Sequence, residues 1–372
     1  MGAAERAGEP APRPPASSPP RILFLTASHE DYLADGLLHG LRTLVGPTVV
    51  DFPKSEFLYD SYPPDRRADL YGHGFTLYGL LPDVPIDRQR PLERARAGEF
   101  DLVVFADIWS TFGSFTALAP TLADTPMAVL DGADRQEPYP YGGPWWRRPS
   151  WWTLPRAHTR ARYFKRELTP LTGWFRSYLL LPPRLASRLP SIRNMREISF
   201  SIPAEKLIDD APVAKTRLLA SHVVDPEVAS RLGVGTSYAF SDERAYYADL
   251  RAARFGITVK RAGWDCLRHY EQAANGCVPC FRDLDSKPPR SAPHGLDHSN
   301  CVSYRTYDEL AGRLEAIDES AYASLREGAL AWARANTTER RAEQFLRDCG
   351  LAVRPASRGA DEDETTLERS SP

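Results

Sequence analysis

Short apolar runs alternate with segments whose apolar residues recur every three or four positions between residue 21 and residue 135. The run RILFLTA (21–27) predicts a buried strand, and YLADGLLHGLRTLVG (32–46) predicts a helix that Gly46 and Pro47 end. Three further runs are typical of buried strands: TVVDF (48–52), DLVVFADI (101–108) and MAVLDGAD (127–134). This pattern predicts a parallel sheet with helices on its faces.

The same alternation returns after residue 200. Strands are predicted for TRLLASHVV (216–224), TSYAF (236–240), FGITVK (255–260), CVPCF (277–281) and NCVSY (300–304). Helices are predicted between them for 225–233, 243–253 and 264–276, and three more close the chain at 307–318, 320–336 and 338–350. We therefore expect an α/β fold of two Rossmann-like, parallel-sheet domains, residues 21–200 and 201–350, that face each other across a cleft.

Parallel sheets bind ligands beyond the carboxyl ends of their strands. His29, Asp107 and Asp131 follow predicted strands of the first sheet, so this rule places them at the cleft. For each of them a helix cap or a turn residue is the alternative interpretation.

Three segments depart from the alternation. Residues 1–20 carry six prolines and residues 351–372 contain the run ADEDE, so both ends are predicted to be disordered tails. Residues 135–190 combine Trp, Tyr and Arg with many prolines and are predicted to form an irregular insertion in the first domain. Its rings could pack on that domain, stack on sugars, or make peripheral contact with an anionic membrane.

Charge and cysteine content limit the classes of function and the cellular locations that we expect for this chain. The 372 residues include 47 basic and 49 acidic side chains, a formal charge of −2, which gives no global basic field for nucleic acid. No apolar run reaches the length of a membrane span, and the start of the chain lacks the apolar region of a secretory signal. Five cysteines are an odd number, which favours reduced thiols and a cytoplasmic location.

The segment RHYEQAANGCVPC (268–280) contains the residues of greatest chemical interest. A helix from about residue 264 to residue 275 would place Arg268 and Glu271 on one polar side, with Gly276 as its C-terminal cap. The free amides at its start suit a pyrophosphate, Arg268 could contact phosphate oxygens, and Glu271 could accept two hydrogen bonds from a diol. The alternative is a surface network of Asp265, Arg268 and Gln272.

Arg268, Glu271, Gly276 and Pro279, between a small-residue helix and a strand, resemble the donor-binding half of GT-B glycosyltransferases. The fuller pattern, with Cys277 and Val278, is similar to exostosin-type and CgeB-like (spore maturation type) members. The resemblance covers residues 200–350 well and the first sheet in architecture only. It implies that the second domain binds a nucleotide sugar without a metal or other cofactor, and that the acceptor and any catalytic base belong to the first domain.

The resemblance also implies roles for single residues. Glu271 would hold the ribose, while Arg268 with Lys260 or Arg261 would neutralise the diphosphate. Many retaining members have a second glutamate where this chain has Gly263, so an inverting reaction is at least as compatible with the sequence. A base must then take the acceptor proton, and His29 and Asp131 are the candidates, in that order.

Three further groups of residues are candidates for a chemical role. Lys165 and Arg166 could face the cleft and contact donor phosphate. His294, Asp297 and His298 could ligate a metal, or their loop could contact substrate at the cleft mouth. The cysteines of CVPC, 277 and 280, could be packing residues or the thiols of a redox enzyme or metal site; the first is favoured because Cys277 follows a helix end instead of preceding a helix.

Two function classes follow. The first is a glycosyltransferase that acts on a glycan, lipid or small-molecule acceptor, and the second is a GT-B-like nucleotide-sugar-binding protein without catalysis.

Overall fold

Six parallel strands form the first sheet, in the order β2-β1-β3-β4-β5-β6. The computed structural model describes residues 18–122, 124–138, 161–169, 172, 195–208 and 214–351. The strands are β1 (Ile22–Leu25), β2 (Val49–Phe52), β3 (Leu102–Phe105), β4 (Met127–Asp131), β5 (Ala161–Lys165) and β6 (Met195–Glu197). The central strand β1 places Ile22 opposite both Val49 and Leu102.

The second sheet has four parallel strands in the order β10-β9-β8-β7. They are β7 (Arg217–Leu219), β8 (Ala253–Val259), β9 (Val278–Arg282) and β10 (Val302–Tyr304). These two sheets confirm the predicted fold class of two Rossmann-like domains with parallel sheets.

Helices connect the strands and cover both faces of the first sheet. They are α1 (Tyr32–Val45), α2 (Pro91–Arg96), α3 (Ile108–Leu118), α4 (Pro226–Leu232), α5 (Glu243–Ala252), α6 (Leu267–Ala274), α7 (Tyr307–Ala316), α8 (Glu319–Ala335) and α9 (Thr338–Asp348). One apolar cluster joins the first sheet to α1 and α9, and a second joins its other face to α3. This burial on both faces explains why β1 and β3 are wholly apolar.

Two predicted segments have a different structure. Residues 236–240 form a loop, because Tyr238 and Phe240 pack their rings on Tyr246 of α5 instead of joining a neighbouring strand. Ala161–Lys165, inside the predicted irregular insertion, is a full strand of the first sheet. The remainder of 135–190 beyond residues 135–138, 161–169 and 172 lies outside the described residues, as do the predicted tails except 18–20 and 351.

Helix α6 begins three residues later than predicted because Asp265 holds the preceding loop. Its carboxylate accepts hydrogen bonds from the Phe200 backbone N–H at 2.8 Å and from the Tyr270 hydroxyl at 3.0 Å. The polar side of α6 is buried, since Gln272 is 1% and Glu271 7% exposed. The alternative of a solvated surface network on this helix is therefore wrong.

The last helix, α9, returns to the first domain and packs against α1. Gly40 makes this close crossing possible: a Cβ built there would lie 1.9 Å from the Thr338 carbonyl oxygen. His39 adds a polar contact, with Nδ1 2.9 Å from the Thr338 hydroxyl. Helix α9, which follows the second domain in the sequence, therefore connects that domain to the first by packing on α1.

We predict that Gly40→Ala lowers the free energy of unfolding by about 2–3 kcal/mol, because the new methyl group must push backbone apart. Gly113→Ala in α3 is the matched control, since a Cβ there meets no atom within 4 Å. The control should gain about 0.5–1 kcal/mol from helix propensity. Urea denaturation monitored by circular dichroism measures both free energies of unfolding. Equal effects of the two substitutions would contradict the close packing of α1 against α9.

Candidate functional site

Arg166, directly after β5, joins the carboxyl ends of the two sheets. Its Nε and Nη2 donate to the Gly132 carbonyl at 3.0 and 2.8 Å, and Nη1 donates to the Asp265 carbonyl of the second domain at 3.1 Å. The guanidinium also pairs with Asp134 and lies 4.6 Å from the centre of the Phe200 ring. With Arg166 only 2% exposed and its nitrogens engaged, it acts as a bridge between the domains instead of presenting a charge to the cleft.

Gly263 lies against this bridge. A Cβ at residue 263 would be 2.4 Å from Asp134 Oδ1, 2.6 Å from Glu167 Oε1 and 3.1 Å from Arg166 Nη1. Glu167 Oε1 also accepts a hydrogen bond from the Trp264 N–H at 2.7 Å, and burial raises the pKa of this carboxyl group. A side chain at 263 would thus have to displace the ends of these first-domain side chains.

Asp131 and Lys165 form an ion pair in the interior, 2.9 Å apart and both 0% exposed. Asp131 also accepts hydrogen bonds from the Tyr163 hydroxyl at 2.5 Å and from Trp109 Nε1 at 3.1 Å. Burial lowers the pKa of Lys165, while its carboxylate partner acts in the opposite direction. The structure therefore gives these two residues a structural role, and the interpretation of Asp131 as a base and Lys165 as a phosphate ligand does not fit their burial.

His29 and Asp107 do lie together at the carboxyl ends of β1 and β3. His29 Nε2 is 3.4 Å from Asp107 Oδ2, and the His29 side chain is 47% exposed. Asp31 lies beside them: its Oδ1 caps α1, and its pKa is raised by burial and then by Asp107. An accessible imidazole oriented by a carboxylate is a suitable proton acceptor.

Helix α6 places Glu271 and Arg268 at the opposite wall of the cleft. Glu271 Oε1 accepts from the Thr76 hydroxyl at 2.5 Å, and Oε2 accepts from the Tyr246 hydroxyl at 2.9 Å. Burial raises the pKa of Glu271, whereas the two hydroxyls and Arg268 lower it. Arg268 Nη1 is buried without a hydrogen-bond partner among the described residues. A buried, unpaired guanidinium nitrogen is costly and indicates a site for an anion.

A loop of the first domain reaches these residues, which the sequence patterns did not predict. It follows the short turn Tyr71–Gly74, and Thr76 has a positive φ of 72°. The Thr76 backbone N–H donates to Glu243 Oε1 at 2.7 Å, and its hydroxyl lies 2.8 Å from the Tyr247 hydroxyl. The glycines of YGHGF were the available signal, since they permit left-handed backbone.

Aromatic rings from both domains form one side of the cleft. Tyr238 stacks on His73 with ring centres 5.3 Å apart and contacts Phe75 at 6.1 Å. Tyr32 of the first domain lies near the same wall. Burial is the main cause that raises the pKa of Tyr32, and the negative charge of the nearby Glu271 raises it further. A planar base or a sugar ring fits between such surfaces.

The loop after β8 holds the other two predicted cations. Lys260 Nζ lies 5.0 Å from the centre of the Trp264 ring. Arg261 is exposed, and its backbone N–H donates to the Gly263 carbonyl at 3.2 Å. Both side chains therefore lie on the loop that leads into α6.

The loop with His294, Asp297 and His298 contacts other partners. His294 Nε2 lies 3.1 Å from the Arg290 carbonyl, and His298 Nε2 lies 3.1 Å from Asp285 Oδ1. In the described ranges no group of three or more His, Cys, Asp and Glu side chains is arranged to hold a metal ion. His294 makes no described contact with Arg268 or Glu271, so its predicted contact with substrate remains a prediction.

No family model and no curated protein matches the sequence. The fold is similar to a glycosyltransferase from Rickettsia africae ESF-5, with TM-score 0.50 and 7% identity over 88% of this chain and 97% of that chain. Anabaena HepE, in complex with UDP, gives 0.48 and 12% over 88% and 98%, and a sucrose-phosphate synthase from Thermosynechococcus elongatus gives 0.47 and 12% over 88% and 97%. At these identities the likeness shows the two-domain GT-B fold alone.

Within the described part of the chain, no helix has the length and apolarity to cross a membrane.

We predict that the CVPC thiols do not react in the folded protein. Cys277 and Cys280 are 0% exposed, and burial raises the pKa of Cys277 to about 12. Alkylation with iodoacetamide at pH 8 should modify only the partly exposed Cys266 of the five cysteines, and all five after unfolding. Peptide mass spectrometry measures this, and fast modification of Cys277 or Cys280 in native protein would restore the thiol-enzyme hypothesis.

Proposed function

We propose that the protein is a glycosyltransferase that moves a sugar from a nucleotide-sugar donor to an acceptor, similar to CgeB-like and exostosin-type enzymes. The observation that carries this proposal is the buried Arg268 Nη1 without a partner, on the same helix as Glu271. Because Arg268 is always charged, its unpaired Nη1 is suited to donate to an oxygen of an anionic ligand. The diphosphate of a nucleotide sugar is an anion of suitable charge.

Arg268 would act together with the start of α6 and the preceding loop. No side chain caps the first turn of this helix, so its amides are available to phosphate oxygens. Arg261 and Lys260 on the loop would add positive charge. Cations and a helix N-terminus can stabilise a leaving diphosphate without a metal ion, and the proposed reaction is metal-independent on this basis.

Glu271 would bind the ribose hydroxyls. Its two oxygens already accept hydrogen bonds from two hydroxyl groups, those of Thr76 and Tyr246, which is the chemistry that a ribose diol would supply. In the proposed complex a ribose hydroxyl replaces the Thr76 hydroxyl, so the 71–76 loop withdraws when the donor binds.

The proposed base is His29, paired with Asp107. It is the accessible one of the two predicted bases, since Asp131 is fully buried in its ion pair. The ends of the Asp134 and Glu167 side chains occupy the space beside Gly263. Because residue 263 is glycine and supplies no carboxylate to the sugar, we propose an inverting reaction in which His29 takes the acceptor proton.

A second candidate function is nucleotide-sugar binding without catalysis. Gly263 favours it, because many retaining GT-B members have a sugar-binding glutamate at this position. Binding and turnover must therefore be measured separately.

Arg268→Ala should weaken UDP binding about 10- to 100-fold, the cost of losing a charged hydrogen bond to phosphate. Glu271→Gln, which keeps the side-chain shape, should weaken UDP binding less than Arg268→Ala does, because Thr76 and Tyr246 already satisfy this carboxylate in the free protein. Isothermal titration calorimetry measures both, with GDP and ADP as alternatives if the base is not uracil. Arg313→Ala is the control, since Arg313 pairs only with Glu309 on the surface of α7. If Arg268→Ala binds every nucleotide as tightly as wild type, the assigned donor site is wrong.

His29→Gln should leave donor affinity unchanged and lower kcat about 10²- to 10⁴-fold, the usual contribution of a general base. Donor consumption is measured over a panel of nucleotide sugars, with His298→Gln as the control because His298 is 65% exposed and pairs with Asp285. A wild-type protein that binds donors and consumes none would support the second candidate function.

A further inference from the structure

His222 lies in the loop between β7 and α4, at the carboxyl end of its strand. The residue is 4% exposed, and neither ring nitrogen makes a hydrogen bond of normal geometry within the described residues. A neutral imidazole offers one donor and one acceptor. The Ser237 backbone is near enough to act on one ring nitrogen, so the other still calls for a partner.

The groups around His222 come from four other parts of the second domain. The Tyr238 ring contacts the imidazole edge to face, with centres 4.8 Å apart. Arg268 of α6 and Arg261 of the loop after β8 are close enough to affect its charge. Asp249 of α5 is the one carboxylate among these neighbours, and it is already paired with Arg217 at 2.6 Å.

These surroundings keep the free imidazole neutral. Burial is the largest cause that lowers the pKa of His222 to about 4, and Arg268 and then Arg261 lower it further. The Ser237 backbone and Asp249 act in the opposite direction but do not offset it.

We infer that His222 is a further ligand of the donor diphosphate and that it takes up a proton when this anion binds between it, Arg268 and Arg261. The inference rests on the proposed function, because the diphosphate is that of the donor. The two arginines that disfavour a charged ring in the empty cleft are neutralised by the anion, and the anion then attracts the imidazolium directly.

The pH dependence follows from linkage. Since the pKa of His222 is higher in the complex than in the free protein, binding takes up a proton at pH values between the two. Affinity therefore increases as the pH falls through the bound-state pKa, and it becomes constant below the free value of about 4. A bound-state pKa of about 6 to 6.5, near the ordinary value, makes binding about 10- to 30-fold tighter at pH 5 than at pH 8.

UDP-glucose is the probe, because a diphosphate esterified at both ends has no group that titrates in this range. Its Kd is measured by calorimetry at pH 5, 6, 7 and 8 for wild type and for His222→Gln, which keeps hydrogen-bonding capacity without a charge. At pH 6, titrations in two buffers with different ionisation enthalpies count the protons taken up. We expect the wild type to tighten at low pH and to take up more protons than the variant, whose Kd changes less.

Taking the difference between the two proteins removes the contributions of Glu271 and Asp31, which also titrate at the cleft. Equal pH slopes and equal proton counts would overturn the inference and leave the proposed function intact. A wild-type protein that binds no nucleotide sugar of the panel at any pH would overturn both.

If His222→Gln does not fold, the wild type itself provides the test. The ¹H shift of the His222 Cε1 proton, assigned in isotope-labelled wild-type protein, is followed by NMR against pH with and without UDP-glucose. A pKa that rises in the complex supports the inference, and an unchanged pKa contradicts it.

Discussion

The position of the two sheets depends on the buried charge of Arg166. Its guanidinium donates to backbone carbonyls of both domains, at Gly132 and Asp265, and is only 2% exposed. Loss of this group would leave two carbonyls without their donor and Asp134 without its cation, which is costlier than loss of a surface pair. Because the Asp265 loop leads directly into α6, the same bridge determines where Arg268 and Glu271 stand relative to the first domain.

The fold was largely predictable because its strands bury both faces and read as short apolar runs. The segments whose structure was predicted wrongly depend on contacts that a local sequence pattern does not show. Ala161–Lys165 carries two cations, and it is a strand only because Asp131, on the neighbouring strand, pairs with Lys165. The loop 236–240 has strand-like residues, but its rings are buried against α5. In both segments a partner distant in sequence decides the structure.

The candidate site was predictable where helical period alone brings residues together, as for Arg268 and Glu271. The cations of β5 were not predictable, because sequence does not show whether a charge faces a cleft or a buried partner. Thr76 reaches Glu271 through left-handed backbone, a conformation that a threonine seldom adopts and no periodicity indicates. His222 is distinguished by the hydrogen bonds that its buried ring nitrogens lack within the described residues, and only a structure can show this.

The two contacts that cross the cleft differ in how readily they can be exchanged. Arg166 binds backbone carbonyls that no ligand could replace, so this side is fixed. Thr76 contributes a hydroxyl to Glu271, and another hydroxyl could take its place with little net change in hydrogen-bond energy. Under the proposed function, a donor ribose would therefore open the cleft at Thr76 by exchange of one hydroxyl for another, while Arg166 keeps the opposite side closed. Affinity for the donor then comes mainly from the unpaired groups at Arg268 and His222, because the Glu271 contact is satisfied before and after binding.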